Sequence, residues 1–283
     1  MVDSVATMLR GTAATQAYYE QEGWRPSPDG VPHDLRRWGG NEEGPIRRHT
    51  HAVRRLRVAE ALAQAGTPLR LLECGCGGNP ALDLLPICRH YTGLDFSREG
   101  LSRARERLSG WHVPFELAAA DMCSLPFEDA SFDAVYSSHA LYHIAHPRGQ
   151  AAALREMARV TRPGGVVVLI VANPRPLLFA GNLLRRVIAD VPGLGAAVNR
   201  IRRAPIPYNP RSIRWMRREL EQFGRVRTTC YTLPSVWFNQ RVSEHRGAGR
   251  FVWRVIDRLE REAPETSAPL GCYVQVSLRV GRR

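Results

Sequence analysis

Leu71-Leu72-Glu73-Cys74-Gly75-Cys76-Gly77-Gly78 is the stretch on which the reading of the fold depends. The apolar run that enters it, from Leu69 to Cys74, reads as a buried strand. The glycines directly behind it let the backbone bend tightly and let a ligand approach the main chain. A dinucleotide fingerprint requires G-x-G-x-x-G. Counted from Gly75, its third glycine falls at position 80, where Pro80 stands. The spacing therefore argues against a pyrophosphate binder. Glu73 puts an acid at the entrance of the turn, which suits a ligand with a cationic end.

Outward from this turn the chain alternates strand and helix. Residues 80–88 read as a short helix and residues 91–95 as a second strand. Residues 97–108 read as a helix with Ser97 as its N-cap. Residues 115–119 and 132–137 are further strands, 146–160 a helix, and the apolar run 165–172 a strand buried on both faces. Asn209-Pro210 reads as a helix start that runs to Gly224. Residues 225–233 and 272–280 read as strands, and 252–262 as a helix. This alternation predicts a mostly parallel α/β sheet with helices on both faces. Residues 1–67 are expected to form a helical lid with aromatics Tyr18, Tyr19, Trp24 and Trp38. Residues 68–283 are expected to form the main domain, with inserted caps near 174–206 and 234–268.

Two more acids end strands. Asp95 closes the second, where a carboxylate accepts hydrogen bonds from both hydroxyls of a ribose. Asp121 follows the third, placed to accept from an adenine amino group, while Phe96 and Met122 offer apolar faces to the ring. Glu73, Asp95 and Asp121 would then line the crevice at the carboxyl edge of the sheet. At this point a resemblance is plain. Glu73-Cys74-Gly75-Cys76-Gly77, Gly93-Leu94-Asp95-Phe96-Ser97, Asp121-Met122-Cys123-Ser124-Leu125-Pro126-Phe127, Phe132-Asp133-Ala134-Val135 and Arg162-Pro163-Gly164-Gly165 resemble, in order and spacing, the motifs of class I S-adenosylmethionine-dependent methyltransferases. The resemblance spans about residues 68–173 and implies a Rossmann-like seven-stranded sheet and S-adenosylmethionine as cofactor. The cofactor carries an ammonium and a sulfonium, in keeping with Glu73. Asn79 departs from the pattern, standing where the family usually has a third glycine; asparagine tolerates the left-handed conformation such a turn requires. Asp133 begins a strand and is read as structural.

The segment Ser137-Ser138-His139-Ala140-Leu141-Tyr142-His143 leaves the fourth strand at the same edge, and in the family such residues line the methyl end of the pocket. Ser138 is assigned to the cofactor. His139 and His143 are the candidate bases, four apart and expected to share one face of a helical turn. Related quinone-type enzymes carry carboxylates where this chain has His139 and Tyr142, so no metal is expected. In many family members an N-terminal aromatic helix closes over the cofactor, which assigns Tyr19 to that role beside Tyr18 and Trp24. His49 and His51 could also reach the site, but they read first as surface histidines.

Composition bounds these readings. The chain has 283 residues and is 44% hydrophobic, enough for a sizeable core. No apolar run approaches the roughly 18 residues of a membrane span. The opening Met1-Val2-Asp3-Ser4 lacks a signal-peptide pattern, so a cytoplasmic location is expected. Six cysteines, at 74, 76, 88, 123, 230 and 272, show no C-x-x-C spacing and read as small buried residues. Net charge is +13, yet all 40 basic residues are arginine. That bias resembles a GC-rich coding composition more than a binding face and argues against nucleic acid as the partner. The expectation is methyl transfer to an O, N or C nucleophile of a small molecule, plausibly in specialised metabolism. The rivals are an RNA methyltransferase using the arginine-dense stretch 185–227, and a non-catalytic cofactor-binding subunit.

Overall fold

The computed structural model describes residues 13–28, 32–33, 45–176, 207–235, 238 and 248–281, with the side chains of 45–51 and 248 excepted. Trp38, the side chains of His49 and His51, most of the cap at 174–206 and part of that at 234–268 lie outside the described residues.

The elements are α1 (Pro45–Ala63), β1 (Leu69–Cys74), β2 (Cys88–Asp95), α2 (Arg98–Leu108), β3 (Phe115–Ala119), β4 (Phe132–Ser138), α3 (Pro147–Val160), β5 (Thr161–Ala172), α4 (Ile213–Glu221), β6 (Gly224–Thr232), α5 (Ala248–Glu262), α6 (Pro264–Ser267) and β7 (Tyr273–Val280). Short 3-10 turns at Leu82–Ile87 and Leu141–His143 follow β1 and β4. The seven strands form one sheet in the order β3-β2-β1-β4-β5-β7-β6. All pairings from β3 to β5 are parallel, and β7 runs antiparallel between β5 and β6. This is the Rossmann-like arrangement of class I methyltransferases.

Alternation along each strand feeds two cores. In β5, Val166, Val168 and Ile170 pack with Leu69, Leu71, Leu84 and Tyr91 on the α1 and α2 face. Val167, Leu169 and Val171 pack with Leu72, Leu154, Met157 and Leu220 on the α3 and α4 face. Both faces of a central parallel strand are thus covered, which is why β5 reads as a continuous apolar run. At the amino ends of the strands Asp133 is a structural hub. Its Oδ2 accepts from the Arg70 N–H and from Arg89, both at 2.7 Å, and its Oδ1 from Arg162 at 2.6 Å. Burial opposes its charge, but these donors outweigh that cost and hold the carboxyl below its usual range.

Helix starts follow their capping chemistry. Ser97 Oγ accepts from Gly100 N at 3.0 Å and caps α2. His146 Nδ1 accepts from Arg148 N, with Pro147 at the first position of α3. The expected start of α4 at Asn209-Pro210 is corrected. Ser212 is the N-cap, accepting from Trp215 N at 3.2 Å. Asn209 serves as a tether instead: its N–H donates to Tyr142 O, and its carbonyl accepts from Gln150.

Among the described residues, no helix is long and apolar enough to cross a membrane. The six cysteines are free, five of them buried. Burial pushes the thiols of Cys74 and Cys76 well up, which leaves them as packing residues.

Candidate active site

The turn after β1 is built on left-handed glycines. Gly75 has φ +78° and Gly77 φ +50°, a region that disfavours any side chain. The N–H groups of Gly75 and Cys76 both reach Leu94 O on β2, at 2.7 and 3.2 Å, and fix the turn against that strand. A β-carbon on Gly75 would fall 2.4 Å from Ala140 Cβ and 3.2 Å from Met122 Cε. The loops after β1, β3 and β4 therefore converge on the bare backbone of Gly75. Ser137 Oγ closes the same edge, donating to Cys74 O at 2.8 Å.

Asp95 stands beside this turn. Its Oδ2 accepts from Gly77 N at 2.9 Å and its Oδ1 from Ser97 N at 2.8 Å. Each carboxylate oxygen retains a second lone pair for a ribose hydroxyl. Burial pushes the carboxyl up to about 6, against the lowering effect of the Ser97 and Gly77 N–H groups. Asp121, after β3, is exposed and accepts from Cys123 N through Oδ1 at 2.8 Å. Met122 is buried behind it, and Phe96 is half-buried at the end of β2.

Glu73 is placed differently from the expectation of a carboxylate facing a cation. It is 4% exposed and lies on the α1 side of the sheet with Leu69 and Leu71. Its Oε2 accepts from Tyr91 Oη at 2.6 Å and from Ala81 N at 3.0 Å. Burial pushes its carboxyl up to about 7, with the Tyr91 and Ala81 bonds opposing. Both bonds anchor the glycine turn from beneath.

The N-terminal segment lies against the end of β2, the start of α2 and the turn after β4. Glu20 accepts from Arg98 N and Glu99 N at 2.6 and 3.2 Å, capping α2 across 78 residues of sequence. Gln16 donates to Phe96 O. The Tyr19 ring is stacked on Trp24 at 5.7 Å and meets Phe96 and His143 edge-on at 6.3 and 6.4 Å. Tyr19 thus links the end of β2 to the turn after β4. Trp24 fills the space left by three glycines: β-carbons on Gly77, Gly78 and Gly100 would fall 2.1, 2.8 and 2.8 Å from its indole. Glu20 and Gln16 were not legible in sequence, because their partners are backbone groups at the end of β2 and the start of α2, distant in the chain and independent of side-chain type.

The two histidines do not share a helical face. His139 adopts φ +58° and is followed by the 3-10 turn, so the four-residue spacing loses its helical meaning. His139 Nδ1 is 3.2 Å from Tyr142 Oη, and its ring meets Tyr273 edge-on at 4.6 Å. His143 Nδ1 is 2.8 Å from Pro207 O; a carbonyl only accepts, so Nδ1 carries the proton. Burial pushes His143 down to about 4 despite that bond. Ser138 is the half-buried last residue of β4. Among the described residues no group of three His, Cys, Asp or Glu side chains is placed to hold a metal ion.

A glycine cradle that excludes β-carbons, a carboxylate with lone pairs at the end of β2, and an acid after β3 together fit S-adenosylmethionine. Comparison with known proteins agrees. Residues 72–169 match the family described as "Methyltransferase domain". The chain is 33% identical over 144 residues to a phosphatidylethanolamine N-methyltransferase of Cereibacter sphaeroides, covering 50% of this chain and 68% of that one. It is 39% identical over 128 residues to a fatty-acid O-methyltransferase of Mycolicibacterium smegmatis, and 36% over 126 residues to a 27-O-demethylrifamycin SV methyltransferase of Amycolatopsis mediterranei. These alignments cover 44% and 42% of this chain and span less than half of either relative, at 43% and 45%. The N-methyltransferase NodS of Bradyrhizobium japonicum WM9, solved with S-adenosyl-L-homocysteine, superposes with a TM-score of 0.54 at 15% identity, over 95% of this chain and 100% of that one, and so shares the fold. The chain belongs to the class I S-adenosylmethionine-dependent methyltransferases. It is an enzyme of that type, and S-adenosylmethionine is its cofactor.

Proposed function

We propose that this enzyme transfers a methyl group to an O, N or C nucleophile of a small molecule, in specialised metabolism, from a cytoplasmic location. The carrying observation is that β1, β2, β3 and β4 are parallel, so their carboxyl ends lie at one edge of the sheet. Asp95 bonds the glycine turn itself, Asp121 and Met122 follow β3, and His139 follows β4. The acceptors named for the relatives are a phospholipid, a fatty acid and a rifamycin precursor, all small molecules. No feature of the described residues favours RNA or a non-catalytic role. Residues 13–28 act as the lid, whereas α1 packs on the sheet with Leu69, Leu71 and Val168 and is part of the core.

In this reading Asp95 holds the ribose hydroxyls, while Asp121, Met122 and Phe96 surround the adenine. Gly75 and Gly77 give the amino-acid end access to the backbone, with Ser138 at the end of β4 and Glu73 supporting the turn from below. Bound S-adenosylmethionine supplies the methyl group as a sulfonium electrophile. Tyr19 and Trp24 cover the crevice and keep water from it. His139 takes the proton that an O–H or N–H acceptor loses as its bond to carbon forms. His143, neutral and tied to Pro207 O, holds the loop at 207–209 against the 3-10 turn.

Titration calorimetry of the full chain with S-adenosylmethionine, followed by transfer of isotope-labelled methyl to a panel of small acceptors, tests this. Binding and label transfer to a small molecule are expected. Absence of cofactor binding, or label transferred only to RNA, would overturn it.

A further inference from the structure

The first turn of α2 is completed by a residue far away in the chain. A helix leaves its leading N–H groups without intrahelical partners. At the start of α2, Ser97 N donates to Asp95 Oδ1 at 2.8 Å and Gly100 N to Ser97 Oγ at 3.0 Å, both local bonds. The N–H groups between them, Arg98 N and Glu99 N, donate to Glu20 Oε1 and Oε2 at 2.6 and 3.2 Å. One carboxylate thus bridges successive N–H groups, and its charge meets the positive end of the helix dipole. The adjoining N–H of the same turn belongs to Asp95, the carboxylate placed for the ribose. Glu20 lies in a π-turn, Tyr19–Gly23, a rare element that recurs at functional positions. Tyr19 meets Phe96 after β2 and His143 after β4. Because β1 lies between β2 and β4 in the sheet, the segment crosses the end of β1, where the glycine turn begins. Trp24 then seats on Gly77 and Gly78 of that turn, and Gln16 donates to Phe96 O at 3.3 Å.

We propose that Glu20 is a positioning residue for the cofactor: bonded to Arg98 N and Glu99 N, it holds residues 16–24 across the end of β1, and its release from α2 is the step that lets S-adenosylmethionine enter and S-adenosylhomocysteine leave. The groups placed for the cofactor, the bare backbone of the glycine turn and Asp95, stand at the ends of β1 and β2 that this segment crosses. Exchange of the cofactor therefore requires the segment to move, and Glu20 is its carboxylate tether to the main domain. The bond is suited to repeated opening. Arg98 and Glu99 sit at an accessible helix start, where water can replace the carboxylate when it leaves. The aromatic contacts of Tyr19 and Trp24 are non-directional by comparison, so the charge-assisted bonds of Glu20 fix where the segment comes to rest. Seating also steadies the helix start from which Ser97 N holds Asp95, so closing the segment and orienting the ribose carboxylate go together.

The proposal rests on reading residues 13–28 as the lid, and its test needs no methyl acceptor. Amide hydrogen exchange of the full chain is resolved by residue in NMR spectra, and the release rate of isotope-labelled S-adenosylhomocysteine is followed by rapid filtration. In the unmodified protein the Arg98 and Glu99 amides are expected to be protected, and saturating S-adenosylhomocysteine is expected to slow their exchange further. Glu20→Ala is expected to remove the protection at both and to speed release about tenfold, the loss of a charge-assisted cap. Gly100, capped by Ser97 in the same turn, is expected to stay protected, which separates opening of the segment from damage to α2. Glu20→Gln keeps an acceptor without the charge and is expected to fall between the two. Protection of Arg98 and Glu99 that persists in Glu20→Ala overturns the proposal, as does a release rate that Glu20→Ala leaves unchanged, or a loss of protection that extends to Gly100. Failure of the lid reading has its own signature: Glu20→Ala then exposes Arg98 and Glu99, but S-adenosylhomocysteine has no effect on their exchange in the unmodified protein, and the proposal falls with it.

Discussion

Replacing Glu73 by Gln should make the protein more stable, by an amount that grows as the pH rises from 4.5 and levels off above about 7. The carboxyl is buried, accepts two hydrogen bonds through Oε2, and is pushed from 4.5 to about 7. An acid whose pKa rises on folding binds its proton more tightly in the native state, so stability falls as pH rises through the window from 4.5 to about 7. Above that window the loss saturates at the pKa difference, on the order of 3 kcal/mol. A glutamine carbonyl can accept the same Tyr91 and Ala81 bonds without a charge to desolvate. Denaturant unfolding of both proteins should show Glu73→Gln ahead by about 3 kcal/mol near pH ~8.5 and by less than about 1 kcal/mol near pH ~5. Equal stability at the higher pH, or a gap that does not narrow on acidification, would refute the reasoning. Calorimetry with S-adenosylmethionine should show little change, because the bonds of Glu73 go to the protein beneath the turn.

Asp95→Ala should weaken S-adenosylmethionine binding by about 1–3 kcal/mol, read by calorimetry, through lost ribose bonds. Because burial places Asp95 at about 6, cofactor affinity should also fall as pH drops below that value and the carboxyl protonates. His143 should titrate near 4 in a proton NMR series, and its contribution to stability should decline as pH falls from 6.5 toward that value, since the unfolded chain takes up the proton first. Glu260→Ala should destabilise the fold by about 3–5 kcal/mol in denaturant unfolding. It leaves buried Arg54, 3.4 Å away, without its counter-ion, and it strands Leu233 N, which donates to Glu260 at 2.8 Å.

The sheet was readable because its strands are punctuated by chemistry that acts locally. β1 and β3 occupy the expected residues, and Ser97 caps α2 as its position implies. β5 begins earlier than expected, at Thr161, because Arg162-Pro163-Gly164-Gly165 is accommodated by a register shift against β4. Asn209-Pro210 carried a strong helix-start signal, but Asn209 is spent on Tyr142 and Gln150, contacts that local pattern does not contain. The site was legible as a set of strand ends. What a side chain does there depended on strand parity and burial. Glu73 shares its face with Leu69 and Leu71, so it turns toward Tyr91 rather than toward the crevice. His139 and His143 were paired by a helical spacing that a left-handed residue cancels. The tyrosines around His139 come from positions 142, 231 and 273, and only the antiparallel return of β7 brings the last of them near.

The packing of Trp24 also constrains how the sequence can drift. Gly100 sits in the first turn of α2, where alanine would ordinarily be better by about 1 kcal/mol. A methyl group there would meet the Trp24 indole nitrogen at 2.8 Å and Gly77 backbone at 3.2 Å. Gly77 and Gly78 face the same ring. Positions 24, 77, 78 and 100 should therefore change together in descendants of this chain. A smaller residue at 24 would release Gly78 first, since Gly77 also has a positive φ and Gly100 also faces backbone. Glycine at 78 in a relative would then report on the aromatic strap above it as much as on the ligand below.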